Sequence, residues 1–163
     1  MADGGRGWDG GESPKVFISS TYLDNIERRR LVENAVLQAQ MLPKGMERFT
    51  AGTDPALAEC QRLAAECDVY VGILAYRYGW IPDGQTLSIT ELEYDAAKAA
   101  GRACYVFLVS EDVPVFPERD FDPGEDRWGK QQKLDAFKQK CERDQMSARF
   151  KDTTIQSSRD VPG

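Results

Sequence analysis

Two glutamates stand two positions apart in "SITELEYDAAKAAGR", residues 88–102. They are the natural starting point for any chemistry in this chain, because it contains no histidine. That absence excludes Ser-His-Asp and Cys-His catalysis and His-ligated metal within the chain, so a reaction must rest on carboxylates, arginines and hydroxyls. The four cysteines have no regular motif spacing and read as reduced thiols of a cytoplasmic protein. Cys60 and Cys67 would share one helix face as small core side chains.

On a helical wheel at about 100° per residue with Ile89 at zero, Leu92, Ala96, Ala99 and Ala100 form an apolar stripe, Glu93 lands inside it near ~40°, and Glu91 lands near ~200°. Glu91 is thus expected to face solvent, completing an S-I-T-E capping box with Ser88 as N-cap and Leu87 and Leu92 as its hydrophobic staple. Glu93 is expected to point inward. A buried unpaired carboxylate costs several kcal/mol, so a cleft or a partner must compensate it, and the helix N-terminal end would favour the anion. A structural reading stays open: if the helix starts at Thr90, T-E-L-E makes Glu93 the capping residue.

Other candidates lie where strands should end. In "TYLDNIERRRLVENAVLQAQML", a helix with Asp24 as N-cap, the residues Leu31, Val32, Ala35, Ala39 and Leu42 mark a buried line. Arg28 sits on it, while Arg29 and Arg30 point elsewhere. Arg28 could hold a phosphate or pair with Glu93, or pack its stem on the core with a solvated head. Ser19, Ser20 and Thr21 offer hydroxyls and amides for a phosphate or ribose, or plain caps. "YRYGW" (76–80) places Arg77, Tyr78 and Trp80 where a flat heterocycle could stack, or where they simply pack a loop. Glu47, in "GMERF", is a second-tier acid.

The elements that must position these residues alternate. "KVFISS" (15–20), "GMERFTA" (45–51), "VYVGILAY" (69–76) and "ACYVFLV" (103–109) read as strands. Between them lie the first helix, a second opened by Asp54 and Pro55 in "TDPALAECQRLAAECD", and the one bearing the glutamates. "KQQKLDAFKQKCERD" is a basic amphipathic helix, and one edge strand fits in the tail. Alternation predicts an α/β fold: a parallel sheet of four to five strands with helices on both faces. No segment matches G-x-G-x-x-G or a P-loop.

One domain is expected over 15–150, preceded by a flexible lead, 1–14, without the apolar stretch of a signal peptide. The tail, 151–163, reads as truncated from a longer protein. No apolar run reaches the roughly 18 residues of a membrane span. A net charge of −6, without a long basic run, argues against nucleic-acid binding.

Together, "KVFISSTYLDNIERRRLV", "PKGMERF", "CDVYVGILAYRYGW" and "SITELEYDAAKAAGR" resemble the domain of unknown function 4062 family, from Lys15 to about Phe150. The resemblance implies an N-terminal module of NACHT- or NB-ARC-type ATPases with TPR or WD repeats, immune sensors of the STAND class. That family is similar to TIR domains and nucleoside 2-deoxyribosyltransferases, which implies a flavodoxin-like, TIR-like three-layer sandwich. Both relatives cleave N-glycosidic bonds, and Ser88 and Glu93 occupy the serine–glutamate pattern of TIR domains. Where those have Trp-Cys after the serine, this chain has Ile89 and Thr90. The implied activity is hydrolysis of NAD or a related nucleotide on assembly, with NAD as substrate and no other cofactor or metal. Glu93 would be the catalytic carboxylate, Ser88 and Thr90 would lie beside it, Arg28 and Ser19–Thr21 would hold the diphosphate, and Tyr78 or Trp80 would stack on a ring. Self-association through TIR-like contacts and the C-terminal NTPase and repeat domains are the implied partners. The competing expectations are a non-catalytic homotypic assembly or adaptor module, and a glycosidase or deoxyribosyltransferase acting on another nucleoside or nucleotide.

Overall fold

A computed structural model describes residues 11–45, 57–110, 120–144 and 147–150. The order is β1 (Lys15–Ser20), α1 (Ile26–Gln38), β2 (Leu42–Lys44), α2 (Leu57–Glu66), β3 (Val69–Leu74), α3 (Ile89–Ala99), β4 (Ala103–Val109), α4 (Arg127–Arg143) and β5 (Ser147–Phe150). All strand pairs are parallel, in the order β2-β1-β3-β4-β5. This is the doubly wound, flavodoxin-like arrangement. No helix among the described residues is long and apolar enough to cross a membrane.

Strand alternation divides the core. Val16, Ile18, Val71, Ile73 and Val109 pack with Val36 of α1. Phe17, Tyr70, Leu74, Val106 and Leu108 pack instead with Ala64, Tyr94, Ala97, Leu134 and Phe137, from α2, α3 and α4. The one-to-three split follows from crossover handedness. The step from β1 to β2 runs opposite to every later step across the sheet, and a right-handed crossover then puts its helix on the opposite face. Because both faces are covered, the central strands are continuous apolar runs.

The first helix is shorter than its sequence suggests. Gln40 adopts φ 61°, and Gln40 N–H and Met41 N–H donate to the carbonyls of Leu37 and Val36. This Schellman closure ends α1 and leaves Leu42 to open β2, paired with Lys15. The second strand therefore begins before the expected 45–51; residues 46–51 of that span, like Asp54 and Pro55, lie outside the described residues. Nor is Asp24 the N-cap. Asn25 takes that place, without a side-chain capping bond, because Asp24 is engaged elsewhere.

Candidate functional site

The strand order reverses between β1 and β3, so their carboxyl ends flank the switch point where open α/β sheets bind ligands. Ser19, Ser20 and Thr21 leave β1 there, and Ala75, Tyr76 and Arg77 leave β3. Alternation sends Ser19 toward α3 and Ser20 toward α1.

Glu93 faces Ser19. It is 6% exposed, and the Ser19 hydroxyl donates to its Oε2 at 2.6 Å. Burial raises its carboxyl from 4.5 to about 7, opposed by the Ser19 hydrogen bond and by the positive charge of Arg29. It is not a helix cap. Ser88 caps α3, its Oγ accepting from Glu91 N–H at 3.3 Å, and Thr90 lies buried one turn before Glu93. The buried line of α3 is Thr90, Glu93, Tyr94 and Ala97, centred about 90° round from Ile89. Ala99 and Ala100, expected on the stripe, are exposed. Glu93 lies on both lines, which is why its inward direction was foreseen.

Glu91 does not face solvent: it is as buried as Glu93. Its Oε1 accepts from the Tyr78 hydroxyl at 2.9 Å, and that hydroxyl accepts from Ser88 N–H at 3.0 Å. A tyrosine is thus inserted into the expected capping box. Lys140 of α4 lies 2.9 Å from Glu91 Oε2 and 2.6 Å from Asp95 Oδ1. The wheel failed here because it treats everything off the apolar stripe as wet, whereas α4 covers that flank. Tyr78 is accordingly a buried structural group, not a stacking platform. Its N–H and that of Gly79 donate to Asp122 at 2.7 and 3.1 Å. Gly79 has φ 95°, and a Cβ there would come within 2.8 Å of Thr21 Cγ2. Trp80 is partly exposed, its carbonyl accepting from Ile89 N–H.

The buried arginine of α1 is Arg29, not Arg28. Arg29 is 7% exposed and donates to the Ile18 carbonyl at 3.3 Å and Ser20 Oγ at 3.0 Å. Arg28 is half-buried and donates to the Asp24 carbonyl at 2.7 Å. The expected line was displaced because Leu31 and Ala35 are exposed, while Arg29, Val32 and Val36, at spacings of three and four, turn to the sheet.

Asp24 ties the two strand exits together. It accepts from the Thr21 hydroxyl at 2.5 Å and from Tyr76 and Arg77 N–H at 3.4 and 3.2 Å. Burial nevertheless raises its carboxyl above the ordinary range, against those hydrogen bonds. The structure thus brings Ser19, Ser20, Thr21 and Arg77 to one rim with Glu93 nearby. Ser88, Tyr78 and Trp80 belong to the loop supporting α3, and Glu47 lies outside the described residues. Asp24, Arg29 and Asp122 went unnoticed as partners. The T-x-x-D spacing of Thr21 and Asp24 was the one local signal; the others depend on contacts between elements.

Residues 15–159 match the domain of unknown function DUF4062, and the chain belongs to that family. No curated protein matches it.

Proposed function

We propose that this chain is a TIR-like effector or signalling domain of a STAND-type NTPase, hydrolysing the N-glycosidic bond of NAD or a related nucleotide when its parent protein assembles. The observation that carries this reading is Glu93: an inward carboxylate held by Ser19 at the switch point, with its midpoint near neutrality. The C1′–N bond breaks with its electron pair going to the nicotinamide nitrogen. That leaving group is already cationic and needs no proton. Positive charge develops on the ribose, where one carboxylate can stabilise it. Water then adds at C1′ and releases a proton, giving ADP-ribose and nicotinamide. No histidine or metal is needed.

Thr21 and Arg77 lie on that rim and would serve the diphosphate, while Arg29, buried against the Ile18 carbonyl and Ser20, would add positive charge from behind them. The four cysteines are buried free thiols, which supports a reducing, cytoplasmic compartment.

A second reading has its own support. Tyr22, Leu23 and Ile26 are exposed together before and at the start of α1, in keeping with a non-catalytic assembly module. The test is nicotinamide release from NAD by concentrated protein, or by protein fused to an oligomerising partner, with a nucleoside and a nucleoside monophosphate assayed in parallel. Release from NAD that rises more than linearly with protein concentration supports the first reading. Free base from the nucleoside alone would favour another glycosidase or a deoxyribosyltransferase. Assembly without any cleavage would favour the adaptor.

A further inference from the structure

Four consecutive amides leave the end of β3, and all of them donate to carboxylates. Tyr76 and Arg77 N–H meet Asp24 at 3.4 and 3.2 Å. Tyr78 N–H meets Asp122 Oδ2 at 2.7 Å, and Gly79 N–H meets Oδ1 at 3.1 Å. Adjacent amides that grip both oxygens of one anion form a backbone nest, the kind of concavity that holds phosphate groups. Gly79 supplies its left-handed turn, with φ 95°. The nest lies against the β1 exit, since a Cβ at position 79 would come within 2.8 Å of Thr21 Cγ2. Thr21 in turn follows closely on Ser19, which holds Glu93. A cation stands beside the nest as well: Lys130 of α4 lies 4.0 Å from Asp122 Oδ1.

The two carboxylates differ in how they arrive. Asp24 is built into the turn between β1 and α1, where the Thr21 hydroxyl also donates to it. Asp122 comes from 44 positions beyond Tyr78, on the short segment ahead of α4. Its neighbour Phe121 packs on Tyr76 with ring centroids 5.8 Å apart, and the Arg127 guanidinium covers Phe121 at 4.5 Å. Segment 120–126 therefore crosses the β3 exit and puts its own anion into the nest.

We propose that the Tyr78 and Gly79 amides are a site for the diphosphate of a nucleotide, which Asp122 fills as an internal stand-in. Segment 120–126 is then a strap that the ligand must displace. A diphosphate brings more negative charge than one carboxylate, and Lys130 is placed to meet either. Once Asp122 leaves, Phe121 follows it and uncovers Tyr76. The strap regulates the rim already read as a nucleotide site and rests on that reading for the choice of ligand.

The test is a titration of the full, nitrogen-15-labelled chain with inorganic pyrophosphate, read by NMR at the Tyr78 and Gly79 amides. Asp122→Ala empties the nest, and Asp122→Asn keeps the shape of the strap while removing its charge. Both should bind pyrophosphate at these amides at least about tenfold more tightly than the parent, because a site that is mostly closed loses affinity in proportion. Lys130→Met on top of Asp122→Asn should weaken that binding again. In the parent, the Phe121 and Asp122 amides should move in step with Tyr78 and Gly79, since phosphate enters only as the carboxylate leaves. Equal affinity in parent and variants, or Tyr78 and Gly79 signals unmoved in all of them, overturns the strap and leaves Asp122 as a pin for the loop. ADP, titrated in the same way, should shift the same two amides. If pyrophosphate shifts them and ADP does not, the assignment to a nucleotide is overturned. No step of this test needs cleavage. Binding at the nest supports the site even where no nicotinamide is released, and unmoved amides overturn it even where NAD is cleaved.

Discussion

Burial works against the charge on Glu93, while the Ser19 hydroxyl and the Arg29 guanidinium work for it. The net result is a midpoint of about 7 against 4.5 in an unfolded chain, so between those values the folded state holds more protons. The stabilisation from the protonated form is complete below about pH 4.5 and lost as pH rises through about 7; beyond that a constant penalty remains, on the order of 1–3 kcal/mol. Glu93→Gln removes the titration while keeping the shape. Urea unfolding should show the variant close to the parent at pH 5 and more stable by about 1–3 kcal/mol at pH 8. The same difference at both pH values would mean that Glu93 does not titrate as a buried acid. A carboxylate retained at such a cost is what a functional site is expected to carry. Its inward direction was legible from helical periodicity. Its partners were not. Ser19 lies 74 positions away in sequence, and Arg29 is told from Arg28 only by how α1 sits on the sheet.

Between α3 and α4 the Tyr78 hydroxyl, Glu91 and Lys140 form one network, in which burial would lower the lysine's pKa but Asp95 and Glu91 raise it overall. Breaking a partly buried pair leaves its partner desolvated. Glu91→Gln and Lys140→Met should each cost about 1–3 kcal/mol of unfolding free energy, read as a lower Tm, and their double variant should cost less than the sum. Strict additivity would show the groups are not coupled. The elements themselves were largely legible. β1 and β4 fall where "KVFISS" and "ACYVFLV" place them, and β3 fills all but the last two residues of "VYVGILAY", because doubly covered strands carry unbroken apolar runs. The faces of the helices were harder. Leu31 and Leu37 of α1 are exposed, and alanines mark a face weakly, so an apolar count chose a line shifted from the true one on α1 and again on α3. The end of α1 was missed because a Schellman closure needs a left-handed residue, and here glutamine fills a place that glycine usually signals. Gly101 does signal it at the end of α3, with φ 71°.

For the whole molecule, the strand order matters most. Open α/β sheets bind ligands where the strand order reverses, here between β1 and β3; Asp24 bridges the two strand exits at that point, and Ser19 at the end of β1 holds Glu93. The two ends of the proposed substrate would meet opposite charges there, the ribose at Glu93 and the diphosphate toward Arg29. The most direct measurement is the rate of nicotinamide release from NAD by parent, Glu93→Gln and Glu91→Gln proteins, each fused to the same oligomerising partner and compared per mole of folded protein. Turnover should fall by about 10²–10³-fold in Glu93→Gln, without loss of Tm. Glu91→Gln should show a lower Tm but nearly parental turnover. Equal turnover in the parent and Glu93→Gln proteins would rule out Glu93 as the working carboxylate.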